Sequence, residues 1–346
     1  MAYISFQPSD FFNTLLWTGN STTDRAMTGV GFQPDFLWIK GRNEGTDHEL
    51  QDSVRGSTKY LNSNDNGVEG TETEGVKSFD SDGYTLGNAN YWNWTAKTFV
   101  GWSWKAGTTS GITTNGSTNI TPIGYSFSAT AGQSIIYYNG NQTGGDKVPH
   151  GLGVKPSLII IKDVIDSNSW NVYHVSNGAT KYMLLDSSES VNTNTNRWND
   201  TEPDSVNFTL GASAAVNGND NDYIAYCFAE VKGFSSIGCY TGTGQTTGPF
   251  IPCGFRPAFV IIKRIDGADN WVMFDDKRDG YNVDNNILYP NLSNVEATSD
   301  YLDLTSNGFT LRWSDSKANY SGGSYIYAAF AEFPFVSSNS KAGTAR

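Results

Sequence analysis

Gly31-Phe32-Gln33-Pro34-Asp35-Phe36-Leu37-Trp38-Ile39-Lys40 is the stretch that decides the fold, because its pattern occurs twice more along the chain. The later copies are Gly153-Val154-Lys155-Pro156-Ser157-Leu158-Ile159-Ile160-Ile161-Lys162 and Gly254-Phe255-Arg256-Pro257-Ala258-Phe259-Val260-Ile261-Ile262-Lys263. Proline fixes φ and lacks an N–H donor, so it suits the first position of a strand. The apolar run after each proline shows no clean alternation. It predicts a strand covered on both faces that ends where the lysine reaches water.

Further residues keep a constant spacing from this pattern in all three copies. Eight residues after each lysine stands an aromatic or histidine side chain: His48, Trp170 and Trp271. A leucine follows each proline after 52 to 54 residues: Leu86, Leu210 and Leu311. Each copy closes in an aromatic-rich segment that is typical of a half-buried strand: 99–104, 223–230 and 325–332. These matches predict an internal triplication.

The repeats and the polar turns between them predict an all-β protein of three tandem, related, jelly-roll-like β-sandwich units of about 100 residues each. A propeller blade would be about half as long, which makes a propeller the weaker alternative. The predicted parts are an N-terminal arm (1–9), β-repeat 1 (10–107), a linker (108–121), β-repeat 2 (122–232), β-repeat 3 (233–336) and a flexible tail (337–346). The arm is unusually apolar, so it could pack on the first repeat or dock onto another subunit.

Composition and charge exclude several classes of function. Only 17% of the residues are charged, whereas Gly, Tyr, Phe and Trp are abundant, as in all-β proteins with many turns. The net charge of −12 disfavours binding to nucleic acid or to an anionic membrane. No apolar run is long enough to span a bilayer, and the composition of residues 1–8 predicts no signal peptide.

The most distinctive polar signature is an aspartate three residues before an arginine. Asp52 and Arg55 form it in the first repeat, and Asp275 and Arg278 form it at the matching place in the third. In the second repeat both are replaced, by His174 and Asn177. Because removing one partner of a buried ion pair costs more than replacing both, this joint loss favours a structural ion pair. A ligand-binding or catalytic role is the alternative.

No catalytic, metal or cofactor site is predicted. Hydrolysis of a glycan would need two carboxylates about 5–10 Å apart, and spacing alone places no such pair. The acidic candidates for it are Glu44, Asp47, Glu49, Asp163, Asp166, Glu230 and Glu332. The three histidines stand in no nucleophile motif, and Asp80-x-Asp82-Gly83 and residues 217–222 are interpreted as turns rather than calcium loops. We expect Cys227, Cys239 and Cys253 to be small buried apolar residues.

A binding function would depend on aromatic residues among turn-forming neighbours. Trp92 and Trp94 lie in Asn90-Tyr91-Trp92-Asn93-Trp94-Thr95, and Trp198 lies in Asn196-Arg197-Trp198-Asn199-Asp200. Rings flanked by amides suit sugar recognition and protein interfaces alike, and they also occur in cores. The hypothesis is that these three tryptophans are exposed binding residues, with core packing and a protein interface left open as alternatives.

The residues that carry the repeat resemble a repeated β-domain family of virion structural and tail-fibre-associated proteins from marine, cyanophage-like tailed bacteriophages. The resemblance rests on 5–14, 31–40, Asp52-Ser53-Val54-Arg55-Gly56, Ser78-Phe79-Asp80-Ser81-Asp82-Gly83-Tyr84-Thr85-Leu86-Gly87 and Trp102-Ser103-Trp104-Lys105-Ala106-Gly107. It is strong over the first repeat, fair over the third and degraded over the second. It implies a virion structural protein without an enzymatic role, so no catalytic residues are carried over.

Together these observations predict a non-enzymatic virion protein on the surface of a phage particle, most simply in the tail or fibre apparatus with a role in host adhesion. A capsid decoration protein bound to the major capsid protein is the first alternative, and a carbohydrate-binding module or glycan hydrolase is the second. The expected partners are other tail or capsid proteins, further copies of the chain and host-surface glycans, with no nucleic acid and no membrane. The chain would be assembled in the host cytoplasm and reside in the virion.

Overall fold

The fold is all-β, as the composition predicts. The structure, a computed structural model, describes residues 5–278, 282 and 285–334. It has a short 3-10 helix (Pro8–Asp10) and three one-turn helices: α1 (Asn90–Asn93), α2 (Thr195–Trp198) and α3 (Ala214–Asn217). The strands of the first repeat are β1 (Phe12–Thr18), β2 (Arg25–Thr28), β3 (Phe36–Gly41), β4 (His48–Asp52), β5 (Gly56–Asn62), β6 (Gly70–Thr71), β7 (Val76–Asp80), β8 (Gly83–Leu86) and β9 (Thr98–Trp104).

The other two thirds of the chain also consist mainly of strands. From residue 122 to 232 the strands are β10 (Gly124–Ser128), β11 (Gln133–Asn139), β12 (Lys147–Pro149), β13 (Leu158–Asp163), β14 (Asn171–His174), β15 (Lys181–Leu184), β16 (Asn192–Thr193), β17 (Asn207–Thr209) and β18 (Asp222–Phe228). From residue 233 onward they are β19 (Ser235–Thr241), β20 (Phe250–Pro252), β21 (Phe255–Arg264), β22 (Val272–Asp275), β23 (Asn285–Ile287), β24 (Ala297–Ser299), β25 (Leu302–Thr305), β26 (Gly308–Leu311) and β27 (Ser324–Pro334).

One strand order occurs in three large antiparallel sheets. It is β1-β9-β3-β4, β11-β18-β13-β14 and β19-β27-β21-β22, extended by β5 and β6 in the first sheet and by β10, β15 and β16 in the second. A small sheet accompanies each large one: β2-β8-β7, β12-β17 and β20-β26-β25. β23 and β24 pair separately. Each large sheet therefore has one face toward its small sheet and one face toward the other large sheets.

The glycine of the repeated pattern stands just before the third strand in this order, or a few residues before it. Gly31, Gly153 and Gly254 have φ values of 85°, 72° and 78°, a region that a side chain disfavours. This backbone turn directs the chain into the apolar run. Every residue of β3 is buried, which confirms a strand covered on both faces.

The three large sheets share one hydrophobic core instead of enclosing three separate ones. Trp104 of the first repeat contacts aromatic rings from all three repeats, at centroid distances of 4.9 to 6.5 Å: Phe12, Phe36, Phe228, Phe259 and Phe330. A second cluster lies between the sheets of the second repeat, and a third lies between those of the first. The repeats therefore close around a common interior.

Backbone hydrogen bonds join the repeats in a closed ring. Glu69 N–H donates to Val164 O at 3.0 Å, and Val191 N–H donates to Ile265 O at 3.0 Å. Glu296 N–H donates to Arg42 O at 2.7 Å and completes the ring. Each acceptor lies two residues after the lysine of the repeated pattern, so equivalent places in the three repeats make equivalent contacts.

The predicted connecting segments lie against the sheets where the structure describes them. In the arm, the Phe6 ring is 4.9 Å from Phe11 and 5.5 Å from Phe234 of the third repeat. In the linker, Thr108 pairs with Phe127, and Ile120 is buried in the core of the second repeat. Residues 1–4 of the arm and the tail 337–346 lie outside the described residues.

A cavity of about 40 Å³, lined mostly by apolar and aromatic side chains, lies where the three sheets meet. Ala328 of β27 lines it, and filling it with Ala328→Val is expected to raise the free energy of unfolding by up to about 1 kcal/mol, since cavities cost about 24 cal/mol per Å³. Urea unfolding measures the difference. Ala329→Val is the matched control on the opposite face of the strand, where added volume is expected to destabilise the fold by about 1–3 kcal/mol. A loss of stability in Ala328→Val would contradict this prediction.

Candidate functional site

The predicted ion pair of the first repeat is buried at the junction with the second repeat. Arg55 Nε lies 2.6 Å from Asp52 Oδ2, and both side chains are almost completely buried. Tyr226 of the second repeat donates its hydroxyl to Asp52 Oδ2 at 2.8 Å. Arg55 also donates to Leu50 O and to Glu69 Oε2. The carboxylate and the guanidinium therefore have several partners, one of them across the junction.

The third repeat contains the same arrangement at its junction with the first. Arg278 Nε donates to Asp275 Oδ2, and Trp102 of the first repeat donates its indole N–H to the same oxygen at 3.1 Å. The guanidinium carbon of Arg278 lies 5.7 Å from the centroid of the Trp102 ring. Trp102 and Tyr226 occupy matching places on β9 and β18. In both repeats, a ring from a neighbouring repeat completes the ion pair.

The second repeat has lost this arrangement on both sides of its junction with the third. His174 stands in place of the aspartate, and Ala328 of the third repeat stands where the other repeats supply Trp102 or Tyr226. The buried His174 ring contacts Tyr327 O at 3.3 Å. His174 and Ala328 both line the central cavity. The cavity therefore lies at the junction where, within the described part of the chain, the Asp–Arg pair and its ring are both replaced. This joint replacement is what a structural contact between repeats would show.

The expectation that the three repeated lysines reach water is wrong, because all three are buried. Lys40 Nζ donates to Gly41 O at 2.7 Å and to Ser293 O of the third repeat at 3.3 Å. Lys263 Nζ donates to Asp269 O at 2.7 Å and to Ser188 O of the second repeat at 3.2 Å. Lys162 Nζ donates to Asp163 O at 2.6 Å. The ammonium groups bind loop carbonyls, partly of other repeats, that the sequence pattern does not reveal.

Because these lysines are buried, the free energy of unfolding is predicted to rise at alkaline pH. Desolvation lowers the pKa of Lys40, Lys162 and Lys263 to about 8, so between pH 8 and 10 the unfolded chain binds more protons than the folded one. The free energy of unfolding is therefore expected to increase with pH there, by up to about 1.4 kcal/mol per pH unit for each lysine.

The measurement is urea unfolding at several pH values from 7.5 to 10, with Lys263→Met as the comparison. The variant is expected to show a smaller slope, because one titrating group is gone. A slope of zero or of opposite sign in the wild type would contradict the prediction. Above pH 10 the slope should reverse, since burial raises the pKa of Tyr84 and Tyr226 in the folded chain.

Two of the three tryptophans predicted to be exposed are buried, and the three do not form one surface. Trp92 is 4% exposed and contacts the Tyr60 ring at 5.5 Å, while its carbonyl accepts the Trp17 indole N–H. Trp198 is 2% exposed and packs on Tyr173. Only Trp94 is partly exposed, with Lys97 Nζ at 5.2 Å from its ring.

The structure explains why the turn around Trp92 is part of a core. Val216 and Ala318 hold the matching positions in the other repeats, and their carbonyls accept hydroxyls from Tyr138 and Tyr240. The asparagine after each of them is fully buried and donates to two loop carbonyls: Asn93, Asn217 and Asn319. Turn-forming residues at this place therefore close the loop over the core and do not signal exposure.

The exposed aromatic residues were missed by the sequence argument. Tyr91, Phe250, Trp313 and Tyr320 are 42%, 48%, 47% and 51% exposed. Trp313 and Tyr320 lie in one loop of the third repeat, where Asn319 bonds the Trp313 carbonyl and Arg264 stacks over the Tyr320 ring at 4.6 Å. Tyr320 follows the buried asparagine directly, as Trp94 does in the first repeat. That alignment was the only sequence signal for an exposed ring.

Most of the side chains that could take part in catalysis are buried inside the fold. His48 is buried, and desolvation lowers its pKa well below the usual value. Glu49 is also buried, and desolvation raises its pKa well above the usual value. Cys227 is buried as expected and Cys253 partly so, but Cys239 is exposed, which corrects that expectation. In the described ranges no three or more His, Cys, Asp or Glu side chains are grouped as metal ligands would be.

Strand order and buried ion pairs define an all-β protein in which three sheets share one core. The chain belongs to the family described as a domain of unknown function (DUF7483), whose family model matches residues 7–334. No curated protein and no solved structure matches it. Over the part of the chain that is described, no helix has the length and apolarity to cross a membrane.

Proposed function

We propose that this chain is a non-enzymatic structural protein of a bacteriophage virion, exposed on the particle surface in the tail or fibre apparatus, with a role in adhesion to the host. The main support is that charged residues are buried between the repeats, whereas several aromatic residues are exposed. Buried aspartates, arginines and lysines join the three repeats, whereas aromatic side chains such as Trp313 and Tyr320 are presented to solvent. A protein of this kind acts by binding. The resemblance of its motifs to virion proteins supplies the setting.

The proposed ligands on the host are surface glycans, and the proposed structural partners are other tail proteins and further copies of the chain. Aromatic faces stack on sugar rings while neighbouring polar groups meet the hydroxyls. Trp313 and Tyr320 lie in one loop together with Asp315 and Lys317, so this loop carries both kinds of group. A glycan array with the isolated protein tests this part of the proposal.

In that array, Trp313→Ala is expected to weaken glycan binding. Ile123→Ala is the matched control, because Ile123 is an exposed apolar residue of the second repeat, 58% exposed. Equal binding by both variants and the wild type would contradict a role for the Trp313 loop. Release of reducing ends from a bound glycan would contradict the non-enzymatic part of the proposal.

Capsid decoration is the second candidate, favoured by the closure of three similar sheets around one core. A protein with three similar sheets around one core would fit binding sites at the threefold positions of a symmetric capsid. Immunogold labelling of intact phage separates the two candidates, since we expect gold at the tail and the alternative requires gold over the head. Absence of gold on intact particles, with the antigen detectable in disrupted ones, would overturn surface exposure in both.

A further inference from the structure

The outer edge of β1 is open where the structure describes it. Gly19 N–H bonds Lys97 O and Lys105 N–H bonds Phe11 O, so the odd-numbered residues of this segment face β9. In an antiparallel pair the direction of the peptide groups alternates, so the backbone groups of Thr14 and Leu16 point away from β9. The Thr14 N–H is met by the Asn13 side chain, and the Leu16 side chain is 41% exposed. An open edge of this kind is a template for another strand.

A groove of about 270 Å³ lies beside the first three residues of β1, between the first and third repeats. Phe12, Asn13 and Thr14 form the wall on β1, and Ala258, Asp276 and Lys277 form the facing wall on the third repeat. The Thr14 hydroxyl is buried and has no hydrogen-bond partner among the described residues. A buried hydroxyl normally finds a partner, so the groove offers a polar group that a ligand would satisfy.

The chain itself shows what fills the equivalent groove. β11 holds the place of β1 in the second repeat, and β10 covers its outer edge with Ser126 opposite Ile135 and Gly124 opposite Tyr137. Ser126 Oγ donates to Asp35 Oδ1 of the first repeat at 2.8 Å and accepts the Gly107 N–H at 2.8 Å. β10 therefore lies between β11 and a neighbouring repeat, as a strand in the open groove would lie between β1 and the third repeat.

We propose that the groove beside β1 is a strand-addition site for an extended segment of another polypeptide. The segment runs antiparallel to β1, with its main chain bonded to the N–H and carbonyl of Leu16 and to the carbonyl of Thr14, because the Thr14 N–H already bonds the Asn13 side chain. A small or hydroxyl-bearing side chain faces Thr14, as Ser126 faces Ile135, and larger residues alternate with it. The net charge of −12 favours an uncharged or basic segment over a second copy of this acidic chain. The inference is independent of whether the chain belongs to a phage tail.

The test uses the full chain and a fluorescent peptide with the sequence of residues 121–128, which includes β10. We expect saturable one-to-one binding in fluorescence anisotropy, with slower hydrogen exchange of the Leu16 amide in the complex. Leu16→Pro removes that amide and should weaken binding at least tenfold, or by about 1.4 kcal/mol. Leu16→Thr keeps the amide and should bind like the wild type.

A second variant provides an independent test in case Leu16→Pro does not fold. Ala258→Leu narrows the groove from the opposite wall and should also weaken binding, with the melting temperature measured for each protein. No binding at about 1 mM peptide, or equal binding by Leu16→Pro and the wild type, would overturn the strand-addition site. A chain that is dimeric in solution, and monomeric as Leu16→Pro, would overturn the choice of another polypeptide as the occupant.

Discussion

Replacing Arg55 by methionine is expected to lower the free energy of unfolding by about 3–5 kcal/mol. The substitution leaves the buried Asp52 carboxylate without its cation, while the Tyr226 hydroxyl and the backbone N–H groups of Val54 and residue 55 still donate to it. An unpaired charge in this interior is costly, since no solvent replaces the guanidinium. Urea unfolding followed by tryptophan fluorescence measures the loss.

A double variant tests whether Asp52 and Arg55 contribute to stability as a pair. Asp52→His with Arg55→Asn copies the pair found in the second repeat, and it should cost clearly less than Arg55→Met because no buried charge is left. Lys155→Met removes one partner of an exposed ion pair with Glu202 and should change stability by about 1 kcal/mol or less. If the double variant were less stable than Arg55→Met, the ion pair would not act as a unit.

Replacing Trp104 by alanine is expected to cost about 3–5 kcal/mol and to shift the unfolding of the whole described chain. Trp104 contacts rings of all three repeats, so its removal opens a cavity in the shared core. Because the repeats share that core, calorimetry should show one transition in the wild type and one, at lower temperature, in the variant.

Trp313→Ala is the control for this experiment. Trp313 is 47% exposed, and its loss should cost about 1 kcal/mol or less. Three separate transitions, of which Trp104→Ala moves only one, would mean that the repeats fold as independent domains. That result would contradict the common core. It would also mean that the buried contacts at the junctions contribute little to the free energy of unfolding.

The candidate site shows where reasoning from the sequence stops. Asp52 and Arg55 were paired correctly because Arg55 stands three positions after Asp52 within one turn, and the structure joins them at 2.6 Å. Their partner Tyr226 lies more than 170 residues away along the chain, so no local pattern reveals it. Trp92 was expected to be exposed because its neighbours are turn-forming, but the loop closes over a core that only the packed sheets create.

By itself, the sequence determined the features that depend on local geometry. The glycine and proline before each apolar run start a buried strand, because positive φ at the glycine and a fixed φ at the proline are properties of single residues. The alternation and spacing of aromatic residues likewise indicate strands and an all-β class, because side-chain direction along a strand has a period of two residues.

Only the tertiary structure decided how the three parts of the chain sit together and which side chains reach solvent. Lys40, Lys162 and Lys263 are buried because loop carbonyls, partly of other repeats, replace water around their ammonium groups. Trp104 belongs to a shared core because the inner faces of three sheets meet there. Such contacts join residues far apart in the chain, and their geometry follows from the packing of whole sheets and not from any single segment.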